Sequence, residues 1–264
     1  MKPMHRHPAW AYALWGTLLG VGLAVLLWAP ARWLAWGIAQ ASQGHVQWRD
    51  ARGTVWSGSA QLVLTGGGQS RDAQALPSRL QWSLTPRWAG LQIEWRADCC
   101  MTEAALWQVQ AGWSTWQVQT SDHRSTWPAA LLTGLGAPWN TLQPVGQLQL
   151  RTQGLQLHWA QGRMQMKGLA DLHLHQLSTR LSPIQPVGSY SLQLRGTPEG
   201  TPTPSLQLSS QQGPLLLSGD GQWVGARLRF QGEASAQEGH APELNNLLNI
   251  LGRRQGTRSL ISLG

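Results

Sequence analysis

Charge is scarce in this chain of 264 residues: Asp, Glu, Lys and Arg make up 12% of it, against about 25% in an average globular protein. Lysine occurs only at Lys2 and Lys167, so the net charge of +8 is nearly all arginine. Those arginines are strewn singly from Arg32 to Arg258, with Arg253-Arg254 the one adjacent pair. A nucleic-acid binder gathers its cations on one segment or face, and nothing of that kind is present; nucleic acid is excluded as a partner. Weak attraction to anionic lipid is the reading that scattered arginine leaves open.

Cysteine is limited to Cys99 and Cys100. Neighbouring cysteines cannot staple distant elements, so the pair is expected to have no structural role, whether as thiols or oxidised. Two ligands at that spacing do not build a zinc site. The twelve acidic residues are also scattered, no two closer than four positions. The chain has no phosphate-binding Gly-rich loop, no HExxH, no GxSxG and no dinucleotide turn. The expectation is a protein that is not an enzyme and holds no cofactor.

What is abundant is Leu, Gln, Ser, Gly and, above all, tryptophan: seventeen Trp against two Tyr and one Phe. Indoles favour strands and membrane interfaces, which suits a β domain beside a bilayer. After a short basic start with Lys2 and Arg6, Trp10 to Ala29 runs without a charge. Twenty residues at 1.5 Å each match a hydrocarbon core of about 30 Å. A signal peptide cut at Ala29-Pro30-Ala31 is the competing reading; the length of the run and the proline in the site argue against it. The spacing of Trp33, Leu34, Trp36, Ile38 and Ala41 predicts a short helical connector at the membrane surface.

From Val46 onward the pattern turns to period two. In Trp56 to Leu64, Trp56, Gly58, Ala60, Leu62 and Leu64 fall on one face and Ser57, Ser59 and Gln61 on the other, as in a half-buried antiparallel strand. Gly58 and Ala60 leave room for a neighbouring layer. Leu80–Leu84 and Gly90–Trp95 read as a hairpin, Glu103–Val109 as a brief helix, and Gly112–Thr120 as a strand. Between Ser121 and Pro144 three prolines interrupt the pattern, with Ala129–Thr133 as a helical turn. Strands then resume at 145–151, 155–159, 164–168, 172–177, 190–195, 206–208, 215–217, 221–230 and 259–263. Leu244–Leu251 is the one helix, its leucines at 244, 247, 248 and 251 on one face and Gly252 as its C-cap.

His173 and His175 share a strand face, and with His158 from another strand they are the nearest approach to a metal site. They also stand opposite Leu172 and Leu174, where a solvent-facing polar stripe belongs, and that reading is preferred: no metal.

The run Gly53-Thr54-Val55-Trp56-Ser57-Gly58-Ser59-Ala60, lying soon after the apolar segment, resembles the signature of protein N of the bacterial type II secretion system. The stretches Leu181–Leu192 and Leu247–Gly256 are similar to that family as well. The resemblance implies a cytoplasmic tail at 1–8, a transmembrane helix at 9–30, a connector at 31–45 and a periplasmic β domain at 46–264. The implied fold is mainly β: a curved antiparallel sheet, related to AsmA-like lipid-transfer proteins with their apolar groove, and a short C-terminal helix. The implied role is that of a non-enzymatic accessory subunit in the inner membrane. Its partners would be other inner-membrane subunits or the outer-membrane secretin, and membrane lipid. Residues 53–60 would then be structural. A tethered binder of lipid or another hydrophobic ligand is the alternative, favoured by the long Leu/Trp stripe.

Overall fold

The computed structural model describes residues 9–68, 70–160, 163–196, 204–224 and 227–263; the expected tail at 1–8 lies outside them. Two helices lead. The first, α1 (Ala9–Trp28), has every described side chain exposed. Pro30 then breaks the helix, having no N–H to donate, and α2 (Ala31–Ala41) begins at once. Among the described residues no helix is long and apolar enough to cross a membrane. The transmembrane helix expected over 9–30 is therefore not supported by the structure.

Everything that follows is one open antiparallel sheet with short helices on it. Its N-terminal half comprises β1 (Val46–Gly53), β2 (Ser57–Thr65), β3 (Ala73–Arg87), β4 (Gly90–Ala97), β5 (Ala105–Ala111), β6 (Thr115–Thr120) and β7 (His123–Pro128). A 3₁₀ turn (Ala129–Leu135) and α3 (Trp139–Leu142) come next. The C-terminal half holds β8 (Val145–Ala160), β9 (Arg163–Ser178), β10 (Gly188–Arg195), β11 (Ser205–Gln212), β12 (Leu215–Val224) and β13 (Arg227–Ala236). Helix α4 (Ala241–Leu251), β14 (Arg253–Gln255) and β15 (Arg258–Leu263) finish the chain. Neighbours in the sheet follow chain order, β1 through β6, then β8 through β13, β15 and β14. Strand β7 pairs with the first half of β8, while β6 pairs with the second half.

Several expectations are corrected. Residues 103–109 are not a helix: Ala105–Ala111 is a strand held on both sides, with Trp107 opposite Ile93 and Thr120. The helix-favouring Glu-Ala-Ala-Leu run yields to pairing on two edges, the usual override of local propensity. The pairs expected at 145–151 and 155–159, and at 164–168 and 172–177, are single strands of 16 residues each. A bulge between Gln153 and Gln156 takes up the break expected between 151 and 155. The strand expected over 221–230 is two strands, β12 and β13, joined through residues 225–226, which lie outside the described ones. Gly252 caps α4 in an extended conformation, not a left-handed one.

One face of the sheet is apolar and carries the helices. Leu76, Leu80, Ala97, Cys100, Met101, Ala105 and Leu131 form a cluster beneath the 3₁₀ turn. Ala31, Ala60 and Trp82 form a second beneath α2, and Trp48 touches both. A third gathers Val187, Tyr190, Leu215 and Ala234 under Leu244, Leu247 and Leu248 of α4. Cys99 and Cys100 are joined as a disulfide between adjacent residues.

Candidate functional site

Residues 53–60 form a hairpin turn and the strand that follows it. Gly53 ends β1 at φ +91°, and a Cβ there would sit 2.5 Å from the Ser57 carbonyl oxygen, so only glycine fits. The Thr54 N–H donates to the Ser57 carbonyl at 2.8 Å, and the Thr54 hydroxyl accepts from the Ser57 N–H at 3.2 Å. Thr54 also bridges to Pro30. The Val55 N–H donates to the Ala29 carbonyl at 2.8 Å. The turn is thereby fastened to the two residues that separate α1 from α2.

The far side of the turn is fastened to β3. The Leu84 N–H donates to the Trp56 carbonyl at 2.6 Å, and the Trp82 indole N–H donates to the Val55 carbonyl at 3.0 Å. Trp82, 4% exposed, is the buried ring of this region; Trp56, expected on the apolar face, is only half-buried. The Trp82 ring packs on Gly58, its register partner: a Cβ at Gly58 would meet Cζ2 at 2.6 Å and the Arg52 carbonyl at 2.4 Å. Trp48 packs against the same ring, tilted, with centroids 4.6 Å apart. Ala60, wholly buried beside Ala31 and Trp82, lets α2 come close.

The opposite face of the turn is ionic. Arg79 donates to the Ser59 hydroxyl at 3.1 Å and pairs with Asp50 at 2.8 Å; Asp50 also pairs with Arg52 at 2.9 Å. Hydrogen bonds from Arg52, then Arg79, hold the Asp50 carboxyl below the usual carboxylate range. Residues 53–60 are therefore brought together in one place, with Ser57 exposed at its rim. Trp82, Arg79 and Asp50 complete it and were not identified from the sequence. No local signal marks them, because their partners are supplied by strand register.

The second feature is a cavity of about 410 Å³ on the apolar face of the C-terminal half. Its lining is apolar apart from Ser178 and Thr179, with Leu148 of β8, Leu172 of β9, Leu208 of β11, Phe230 of β13, Trp139 and Leu247 among the walls. Strands β8 to β13 and β15 all contribute. Seven neighbouring strands at about 4.8 Å spacing would be roughly 29 Å wide if flat. For all of them to line one cavity, the sheet must curl around it. Tyr190 donates its hydroxyl to the Leu215 carbonyl at 3.1 Å, and burial pushes its phenol well above its ordinary pKa.

The histidines do not assemble as a metal site. His173 and His175 stack at 5.8 Å, but His158 stands against Gln165 and Gln117, elsewhere on β8. His173 instead hydrogen-bonds Asp171 at 2.8 Å, whose other oxygen accepts from buried Ser191 at 3.1 Å. Among the described residues no group of three potential metal ligands is found.

Comparison with known proteins adds one match: the family model for type II secretion system (T2SS), protein N aligns to residues 44–260. No curated protein and no solved structure matches the chain.

Proposed function

The chain belongs to the type II secretion system protein N family, and from that premise we propose that it is a non-enzymatic accessory subunit held in the inner membrane by α1. The sheet then stands in the periplasm and offers surfaces to other inner-membrane subunits or to the outer-membrane secretin while folded proteins are exported. The observation that carries the anchor is the uncharged run Ala9–Trp28, whose described side chains are all exposed. Apolar surface of that extent needs a cover, and a bilayer supplies one at that length. In this reading the 53–60 turn is structural. It clamps Ala29 and Pro30 to β1, β2 and β3, so that the sheet follows the anchor as one body.

The test is fractionation with an export assay. The full chain is expected to keep Met1, to stay with inner membrane through a high-salt wash, and to restore secretion in cells lacking it. A chain beginning at Gln43 is expected to lose that function, because its sheet is no longer concentrated beside its partners. A mature protein starting at Arg32 in the soluble periplasm would refute the anchor.

A second reading, a tethered binder of lipid or another hydrophobic ligand, is favoured by the apolar cavity. Its volume falls in the range of small-molecule sites, about 300–1,000 Å³. Native mass spectrometry separates the two. Phospholipid that copurifies with the chain and is lost in Leu208→Arg supports the carrier; a clean protein mass supports the scaffold.

A further inference from the structure

Because neighbouring strands are antiparallel and follow chain order, successive turns alternate between the two ends of the sheet. The β1–β2 turn, which grips Ala29 and Pro30, shares its end with the β3–β4, β5–β6, β8–β9, β10–β11 and β12–β13 connections. The β3–β4 hairpin outreaches the β1–β2 turn. Leu84 is level with Trp56, and pairing continues to Arg87 opposite Gly90, three residues or about 10 Å farther at 3.4 Å each. The β5–β6 hairpin runs alongside, with Leu91 opposite Val109 and Ala111 opposite Trp116.

At the tips of these two hairpins stand Trp88 and Trp113, both wholly exposed. Large rings left in water at turns contribute nothing to the fold, where Gly, Asn or Asp would serve. Exposed cations toward the same end include Arg87, Lys167, Arg195, Arg227 and Arg229, besides the ion-paired Arg52. By sequence these turns hold one acidic residue, Glu199 between β10 and β11. The turns of the opposite end, by contrast, carry Asp72, Asp98, Glu103, Asp122 and Glu238. Indole beside arginine is the composition of a membrane interface, where the ring sits among headgroups and the guanidinium meets phosphate.

We propose that this end of the sheet rests in the headgroup layer of an anionic membrane, with Trp88 and Trp113 inserted as interfacial anchors and Arg87, Arg195 and Arg227 facing lipid phosphate. The attachment of Ala29 to the first turn leaves no linker between α1 and this edge, so the edge cannot drift far from where α1 meets the bilayer. Leu206 and Leu228, cavity-lining residues toward the same end, then face lipid as well. The proposal takes the anchor from the reading above, and its test separates the two.

The full chain is reconstituted into vesicles of phosphatidylethanolamine and phosphatidylglycerol, carrying one nitroxide at Trp88→Cys, Trp113→Cys or, as a far-end control, Glu238→Cys. The native cysteines are disulfide-bonded, so the introduced thiol is the one that reacts. All three positions are exposed, so the substitutions remove no packing. Labels at 88 and 113 are expected to gain collisions with oxygen and lose collisions with a water-soluble nickel chelate, relative to 238. Equal access of the chelate to all three positions overturns the proposal. Alkaline carbonate extraction reads the anchor separately. A chain that resists extraction with labels open to water keeps the anchor and sinks the tip contact. A chain that is extracted, but whose labels were shielded beforehand, does the reverse.

Discussion

Gly58→Ala puts the joint between helix and sheet to a quantitative test. The added methyl would lie 2.4 Å from the Arg52 carbonyl oxygen and 2.6 Å from Cζ2 of Trp82. Neither neighbour is free to yield: the carbonyl belongs to the β1–β2 ladder, and the ring is pinned by its bond to Val55 and by Trp48. Overpacking of this kind costs ~1–3 kcal/mol, and a rigid neighbour puts it near the upper end. The unfolded chain loses freedom when glycine becomes alanine, which offsets ~0.4–1 kcal/mol. The net loss is thus ~1–2.5 kcal/mol, and at 2–4 °C per kcal/mol for a domain of this size Tm falls by ~2–10 °C. Gly68→Ala is the control, because nothing lies within 4 Å of its Cβ position. Thermal unfolding of the full chain, followed by tryptophan fluorescence, decides. A Gly58→Ala protein that melts with the Gly68→Ala control would refute the packing of Trp82 on Gly58.

Trp82→Ala is expected to cost ~3–5 kcal/mol, as for large buried rings, while half-buried Trp56→Ala costs ~1 kcal/mol; denaturant titration of both variants should rank them in that order. Burial holds the His123 pKa below 6.5, with Glu103 opposing in part. Its neutral form is therefore preferred in the fold, and its contribution is complete above 6.5 and lost as pH falls through the lowered value. His123→Gln should flatten the fall of Tm on acidification below that point, and an unchanged slope would remove His123 as its source. Reduction of Cys99–Cys100 should shift Tm by no more than ~2 °C, since a ring closed between adjacent residues removes almost no chain entropy; calorimetry with and without reductant checks it.

What could be read from the sequence was whatever repeats over a few residues. The leucines at 244, 247, 248 and 251 located α4, and alternation located the β3–β4 hairpin. Where a signal depended on context it misled: the break expected between 151 and 155 is a bulge, and Glu-Ala-Ala-Leu looked helical but is held by two strands. Strand β14 is three residues long, too short to show a period. The partner of Trp82 is 27 positions away, and the cavity draws its lining from seven strands. Such associations are set by register, which alternation alone does not encode.

The near-sequential strand order bears on how the chain assembles. Apart from β7 and the reversed final pair, each strand hydrogen-bonds to the one made just before it. A chain delivered N-terminus first can therefore add strands as they emerge, each closing only a short loop, and the slow search for distant partners typical of β proteins is largely avoided. The hazard is the growing edge, which stays open to foreign strands until growth stops. Growth stops at β14, three residues that carry Arg253 and Arg254 on the last exposed edge. Short and cationic, that strand is a poor template for another chain, so the order of synthesis runs from a clamped first hairpin to a blunted final rim.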